Sequence, residues 1–387
     1  WFLEFPEIIG RGGFDCILGN PPYLGGNRIA NRYGESVAEF LKWDFTIDGN
    51  TNLVVYFMNR VYSLLSKSGS MALIASQSIK EGTSRADGME RFLSRGAIIG
   101  FARTNLRWPG KASTTVDLVA LHKSNRMVHP LLNERHVSVI NSYLQEGEYE
   151  SQPLALTDPR NRSFVGVALH GNGFLIDPEE AARLIRMASS NARVVRPFLI
   201  GDNLNSSPIC EPKRWVIDFS RFDEDEAMQF VEPFSIVHRL VYDERQKNHR
   251  PARKKYWWQF GEKAVGLNYA LLGLSQYLVT AKTSKHLNFV FVDDRNIVLD
   301  QSLTILALGT FSEFAVVQSS IHEAWARKHS SNHDGGRPRY NASTSIQNYA
   351  FPSIDDPTGD TLLSAIGTSY YQQRSTLMRQ LWLGLTD

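Results

Sequence analysis

Asn20-Pro21-Pro22-Tyr23, set directly after the short run "FDCILG" (14–19), is the group of residues in this chain best placed to do chemistry. Proline has no N–H and a fixed φ, so a strand running into two of them must stop there. The residue before each proline is pushed toward an extended conformation. The result is a stiff corner at a strand end, with an amide side chain and a phenol ring on either side. Such a corner can receive a planar NH2 group, because the Asn20 side-chain oxygen and the Pro21 carbonyl both accept hydrogen bonds. An adenine or amide nitrogen is a poor nucleophile, its lone pair being delocalised. Acceptors fixed in advance stabilise the positive charge that grows on it during attack on a methyl group, and hold it in line. Tyr23 offers a ring face against which an unstacked base can lie.

The elements that must position this corner follow from hydrophobic spacing. Residues 14–19 read as a buried strand. Residues 51–67 place Leu53, Val54, Phe57, Met58, Val61, Leu64 and Leu65 at helical spacing, with Gly69 as the stop. "SMALIAS" (70–76) has the length of a strand, "DGMERFLSRG" (87–96) that of a short helix. "AIIGFART" (97–104) and "TTVDLVALHK" (114–123) read as strands joined by "NLRWPGKAS". Alternating strands and helices predict an α/β layered unit, the second half of a doubly wound parallel sheet, in which ligands bind at the carboxyl ends of the strands. Such a sheet normally carries several strands upstream. The chain starts at Trp1 without a methionine and reads as a piece of a longer protein.

The bulk numbers set the frame. A length of 387 residues predicts two domains. No apolar run reaches membrane-spanning length and no signal peptide is evident, so the expected setting is cytoplasmic, with no membrane partner. Cys16 and Cys210 have no ligand-spaced companions, which excludes a disulfide framework and a zinc site; Cys16, between apolar neighbours, is expected to be buried. His329 and His333 in "HSSNHD" (329–334) have no obvious third ligand, and that stretch reads as polar loop; no metal is expected. From about residue 125 the regular alternation gives way to a looser mixture. The expected organisation is 1–124 for the sheet domain, 125–352 for an α+β domain and 353–387 for a helical tail.

Net charge is only +2, but its distribution is uneven. "RQKNHRPARKK" (245–255) holds six Lys or Arg, one His and no acid, and "YWWQF" (256–260) follows at once. A solvated helix face and a phosphate-contacting segment both fit. Candidates for phosphate contact are Arg245, Lys247, Arg250, Arg253, Lys254 and Lys255. "TAKTSKH" adds Lys282, Lys285 and His286, with Thr280, Thr283 and Ser284 as small donors, and "RPRY" adds Arg337 and Arg339. Within this second domain, "RPFLIGDNLNSSP" and "GGRPRYNASTSIQNYAFP" (335–352) read as loops, 161–176 and 277–292 as strand material, 177–189 as a helix, and 312–329 as one amphipathic helix.

"FDCILGNPPY" closely resembles the catalytic motif of amino-group DNA methyltransferases of the N6-adenine type. "TNLVVYFMNRVYSLLSKSGSMALIASQSIKEG" and "RTNLRWPGKASTTVDLVALHK" are similar to the helix, strand and later hairpin that follow it in that family. "FLIGDNLNSSP", "YDERQKNHRPARKKYWWQFGE", "YLVTAKTSKH" and "RPRYNASTSIQNYAFP" resemble the target recognition region of large single-chain restriction–modification and phage-exclusion methyltransferases. The resemblance implies a Rossmann-like S-adenosylmethionine-dependent fold and a double-stranded DNA substrate, with partner subunits where the system has them. It implies that Asn20 and Pro21 bind the target amine, that Pro22 stiffens the corner and that Tyr23 stacks on the flipped base. Trp108, Pro109 and Lys111 would line the base pocket, although Trp108 serves equally well as a core anchor. The glycine-rich cofactor loop should precede the motif; "GRGGFD" (10–15) leads into the catalytic strand and is not that loop, so the main S-adenosylmethionine-binding loop is expected upstream. Two other readings stay open: a specificity module that binds DNA without activity, and a glutamine methyltransferase acting on a protein amide, a family that lacks a large basic domain after the sheet.

Overall fold

The computed structural model describes residues 1–47, 49–108, 115–123, 129–148, 153–158, 160, 163–329, 331–333, 337–352 and 357–386. They fall into two compact units, Trp1–Gln152 and Pro153–Asp387.

The first unit is α/β. Its sheet contains β1 (Phe14–Gly19), β2 (Leu65–Ser76), β3 (Ile98–Arg107), β4 (Thr115–His122), β5 (Leu131–Leu132) and β6 (Arg135–His136), in the order β1-β2-β4-β3-β5-β6. β1 and β2 are parallel, with Gly19 beside Leu73, and β4 is antiparallel to both β2 and β3. β1, β2 and β3 therefore point the same way, and their carboxyl ends share one edge of the sheet. Helix α1 (Gly26–Tyr33), helix α2 (Glu35–Phe45) and helix α3 (Leu53–Leu64) follow the corner. Val54, Val55 and Met58 of α3 join Met71, Leu73, Ile99 and Val119 of the sheet in one apolar core.

Three expectations need correction in this unit. The helix does not run to Lys67: it ends at Leu64, and Leu65 already pairs with Phe14. The next pair is Cys16 with Ser70, so residues 66–69 bulge out of the ladder. Gly69 belongs to that bulge. A Cβ there would lie 2.6 Å from the Phe14 carbonyl oxygen, so close backbone approach, not a helix stop, requires glycine. Cys16 is exposed because β1 pairs along one side only among the described residues. The third concerns residue 125, which falls inside the first unit. β3 pairs with β5, Ile140 and Leu144 enter the core, and the buried Arg85 donates to Ser142 at 2.7 Å while lying 4.1 Å over the Tyr143 ring.

The second unit is α+β, with two four-stranded sheets and one two-stranded ladder among its described residues. One has the order β13-β9-β10-β8, from β8 (Leu175–Ile176), β9 (Val195–Leu199), β10 (Arg214–Ile217) and β13 (Val298–Leu299). The other has the order β12-β11-β14-β7, from β7 (Ser163–Val165), β11 (Tyr277–Ala281), β12 (Val290–Val292) and β14 (Leu303–Leu306). Asp177 caps α4 (Pro178–Met187) by accepting from the Glu180 N–H at 2.7 Å. Helix α5 (Val231–Gln246) carries the start of the basic run. "RPFLIGDNLNSSP" is not loop: it supplies β9 and the helical turn Gly201–Ser206. The single amphipathic helix expected over 312–329 is two, α6 (Phe311–Val317) and α7 (Ser320–His329). Ser331–His333 pairs with Arg337–Arg339, so "HSSNHD" and "RPRY" hold a short ladder rather than pure loop. Helix α8 spans Pro357–Leu381.

His322 on α7 is fully enclosed. Its Nδ1 lies 2.6 Å from the Val317 carbonyl oxygen, and burial lowers its pKa to about 4. The unfolded imidazole takes up a proton near pH 6.5 and the folded one does not, so stability is lost as pH falls through this window. Between pH 7 and pH 5 the cost from this one residue should be about 2 kcal/mol. Denaturant unfolding at both pH values checks this against His322→Asn, which should lose less; equal losses would contradict it.

Candidate active site

The sheet topology brings Asn20, at the end of β1, the turn Gln77–Lys80, at the end of β2, and Trp108, at the end of β3, to the same carboxyl edge. Asn20 and Pro22 are exposed, Pro21 is buried, and Tyr23 is half-buried against the apolar core. Partial burial raises the Tyr23 pKa, so the phenol stays protonated, and its hydroxyl donates to Asn20 Oδ1. That bond fixes the Asn20 amide. Its oxygen has two lone pairs, which leaves one acceptor site open toward solvent. Tyr23 thus does more than offer a ring: it orients the residue that sequence reading placed beside the amine.

Asn52 holds the corner from behind, and the sequence reading did not single it out. Its side-chain oxygen accepts from the Val54 N–H at 3.2 Å, capping α3, and from the Leu24 N–H at 3.3 Å. Its amide donates to Ser78 Oγ at 3.2 Å, and its backbone N–H donates to Ser84 Oγ at 3.0 Å. Leu53 N–H donates to the Leu24 carbonyl at 2.8 Å. A Cβ on Gly26 would lie 2.5 Å from the Asn50 carbonyl carbon, so the chain after the corner can approach this loop only with glycine. The available signal was an asparagine just before an apolar helical pattern, the mark of a helix N-cap.

A second tie lies on the same edge. Lys80 Nζ sits 3.0 Å from Asp117 Oδ2 and donates to Asn105 Oδ1 at 3.2 Å. Asp117, fully buried near the start of β4, also accepts from the Asn105 N–H at 2.8 Å. Asn105 has φ near +60°, a left-handed conformation that asparagine tolerates better than most residues. The lysine and aspartate pin the β3–β4 arms to the turn after β2. Trp108 is half-buried at the mouth of this hairpin; Pro109 and Lys111 lie outside the described residues.

Gly12 and Gly13 both have positive φ but precede β1, at the edge opposite Asn20. They cannot cradle a ligand at the corner. The corner presents hydrogen-bond acceptors at the carboxyl edge, and this glycine pair is not placed to hold a methionine-containing cofactor beside them.

The basic candidates separate into core and surface. Arg245 is 1% exposed and donates to the Leu169 carbonyl at 2.7 Å, with the Phe174 ring 5.7 Å away; it cannot serve as the phosphate contact the sequence suggested. The reason is helical spacing: Val237, Val241 and Arg245 share the buried face of α5. Trp257 and Trp258 are core residues too, their indole N–H groups bonded to Glu224 and to the Phe222 carbonyl. Lys247, Arg250, Lys254 and Lys255 are exposed and Arg253 half-exposed, the last three on the short helix Pro251–Lys255. Thr280 and Ser284 are buried, whereas Lys285, His286 and Arg339 are exposed. Tyr340 N–H donates to the Lys282 carbonyl at 2.7 Å and Thr283 bridges to Arg339, so two clusters far apart in sequence form one surface. Burial, and then the neighbouring Arg339 charge, lower the pKa of Lys282. Nothing is described of the Arg337 side chain.

Among known proteins, residues 1–100 match the Eco57I restriction-modification methylase family. The Type IIL restriction-modification enzyme MmeI, solved in complex with DNA, matches 93% of this chain with a TM-score of 0.76 at 18% identity, over 49% of its own length. The chain therefore spans about half of that enzyme, and the likeness is one of fold. More distant are the DrdV–DNA complex (TM-score 0.44, 10% identity, 96% of this chain and 45% of that one) and a nuclease-deletion mutant of the Type ISP restriction-modification enzyme LlaGI with a DNA substrate mimic (TM-score 0.43, 10% identity, 96% and 42%). No curated protein sequence matches the chain. No described helix is long and apolar enough to cross a membrane.

Proposed function

We propose that this chain is the amine-binding half of an adenine-N6 DNA methyltransferase sheet together with its target recognition domain, working in a restriction–modification or related defence system. The observation that carries this reading is the corner itself: a buried Pro21, an exposed Asn20 whose amide is oriented by Tyr23, and a carboxyl edge shared with Trp108. The methylase family match over residues 1–100 supports the reaction class.

Asn20 Oδ1 and the Pro21 carbonyl accept the two N–H bonds of an extrahelical adenine. Both acceptors gain strength as the nitrogen becomes positive, so they favour the transition state over the bound base. Pro21 and Pro22 keep the acceptors rigid without presenting a competing N–H. Tyr23 holds the Asn20 amide and offers its ring face to the base. S-adenosylmethionine supplies the electrophilic methyl group in this class of reaction. Methyl transfer from labelled S-adenosylmethionine to duplex DNA, by the protein expressed from its whole gene, tests the reading. Label recovered as N6-methyladenine supports it; label on protein glutamine, or none, overturns it.

In the second unit the exposed cations of 247–255 and the joined surface of Lys282, Lys285 and Arg339 are proposed to contact phosphates. Arg250→Ala/Lys254→Ala/Lys255→Ala should weaken duplex binding at every sequence alike. It should also flatten the slope of log affinity against log salt by about 2 to 3, close to one unit for each phosphate left unneutralised. An unchanged slope in a fluorescence-anisotropy titration would remove this segment from the interface.

A further inference from the structure

The second unit contains a cavity of about 500 Å³, between the β9–β10 sheet and the segment 263–272. That is the size of a small-ligand site, and much larger than a phosphate ion needs. Four cations line it, Arg196, Arg221, Lys263 and Arg295, against one carboxylate, Asp218. The carboxylate is already used. Asp218 Oδ2 accepts from Arg196 Nη1 at 2.7 Å, and its Oδ1 accepts from the Ser220 N–H at 2.9 Å. Arg196 is used as well, its remaining donors going to the Asn296 and Arg295 carbonyls at 3.0 Å. The pair cancels, and Arg221, Lys263 and Arg295 remain as net positive charge, since Arg221 donates to the neutral Asn268 amide at 3.1 Å, Arg295 to the Leu274 carbonyl, and Lys263 lies over the Tyr256 ring. Asp293 and Asp294 act on Tyr277 but do not line the cavity.

Two further features separate this cavity from an ordinary basic surface. Ser220 lines it, and the Ser220 Oγ is a buried hydroxyl without a hydrogen-bond partner, one rotamer change away from a ligand in the cavity. A buried hydroxyl left unpaired carries a desolvation cost, which a ligand oxygen would relieve. The walls beyond the cations are apolar or aromatic, with Leu267, Val298, Tyr269 and Tyr277 among them. Positive charge and an unpaired hydroxyl in one cavity with apolar and aromatic walls suit a molecule with a phosphate and a ring.

We propose that this cavity binds a nucleotide. Arg221, Lys263 and Arg295 take the phosphate, Ser220 Oγ donates to one of its oxygens, and Tyr269 and the apolar wall take the base. The nucleotide can come from two sources, a free nucleotide or a nucleotide of bound DNA. The site does not depend on the methyl-transfer reading.

The test is isothermal titration of the full-length protein with ADP, with inorganic phosphate and with a short duplex. ADP should bind saturably at one site per chain and more tightly than inorganic phosphate. Arg221→Ala/Lys263→Ala should weaken ADP at least tenfold. Ser220→Ala, which leaves every charge and the fold in place, should weaken it a few-fold. If ADP displaces the duplex and the same variants weaken the duplex in parallel, the occupant is a DNA nucleotide; if duplex affinity is unmoved, it is a free one. No saturable ADP binding, or equal ADP affinity in the wild type and the folded double variant, would overturn the proposal.

Discussion

Asn20→Ala should lower kcat for adenine methylation by about 10²- to 10³-fold, the range found when one preorganised electrostatic contact to a developing charge is removed. The KM for DNA should change little, because the surface proposed to contact phosphates is elsewhere in the chain. Asn20→Asp keeps an oxygen acceptor in place and should retain more activity than Asn20→Ala. Tyr23→Phe keeps the ring but breaks the bond from the hydroxyl to Asn20 Oδ1. Its effect should be smaller, about tenfold, and should fall on kcat. Single-turnover transfer of labelled methyl groups separates these cases. An Asn20→Ala enzyme as fast as the wild type would mean that the corner does not hold the amine.

Lys80→Met should destabilise the first unit by about 3 to 5 kcal/mol, the usual cost of leaving one member of a buried ion pair alone. Asp117 is fully buried, and its partner Nζ lies 3.0 Å away. The Asn105 N–H, at 2.8 Å from Asp117, offsets part of the cost and places the expected value toward the lower end. Lys80→Met/Asp117→Leu should recover most of the stability, since two apolar side chains leave no stranded charge. Recovery of activity should lag behind, because the pair also fixes the hairpin arms at the edge where Asn20 sits. Urea unfolding monitored by tryptophan fluorescence gives the ordering. Equal stability of wild type and Lys80→Met would show that the pair is ornamental.

The sequence made some of this legible and hid the rest for identifiable reasons. The proline corner could be read because two consecutive prolines act locally, removing two successive ladder donors and stiffening the chain. The shared carboxyl edge could be read from the alternation of strand and helix patterns. The Lys80–Asp117 pair could not, because it joins residues 37 apart that only the antiparallel β2–β4 register brings together. Arg245 sits among basic neighbours in sequence, but a spacing of four from Val241, itself four from Val237, puts it on the buried face of α5. Cys16 was expected inside because its neighbours are apolar, but burial of a strand depends on how many strands flank it. Joining the Lys282 and Arg339 clusters required knowing that Tyr340 bonds back to β11's end, which no local pattern encodes.

The proposed methylation of adenine in DNA by the Asn20 corner, at a sequence chosen by the second unit, would leave a mark that can be read directly. Modified adenines should be mapped in the genome of a host free of other adenine methylation, with the whole gene expressed as wild type and as Asn20→Ala. N6-methyladenine is expected at one recurring sequence in the wild type and at none in the variant. Genomes without modified adenine in either strain would contradict this reading of the corner.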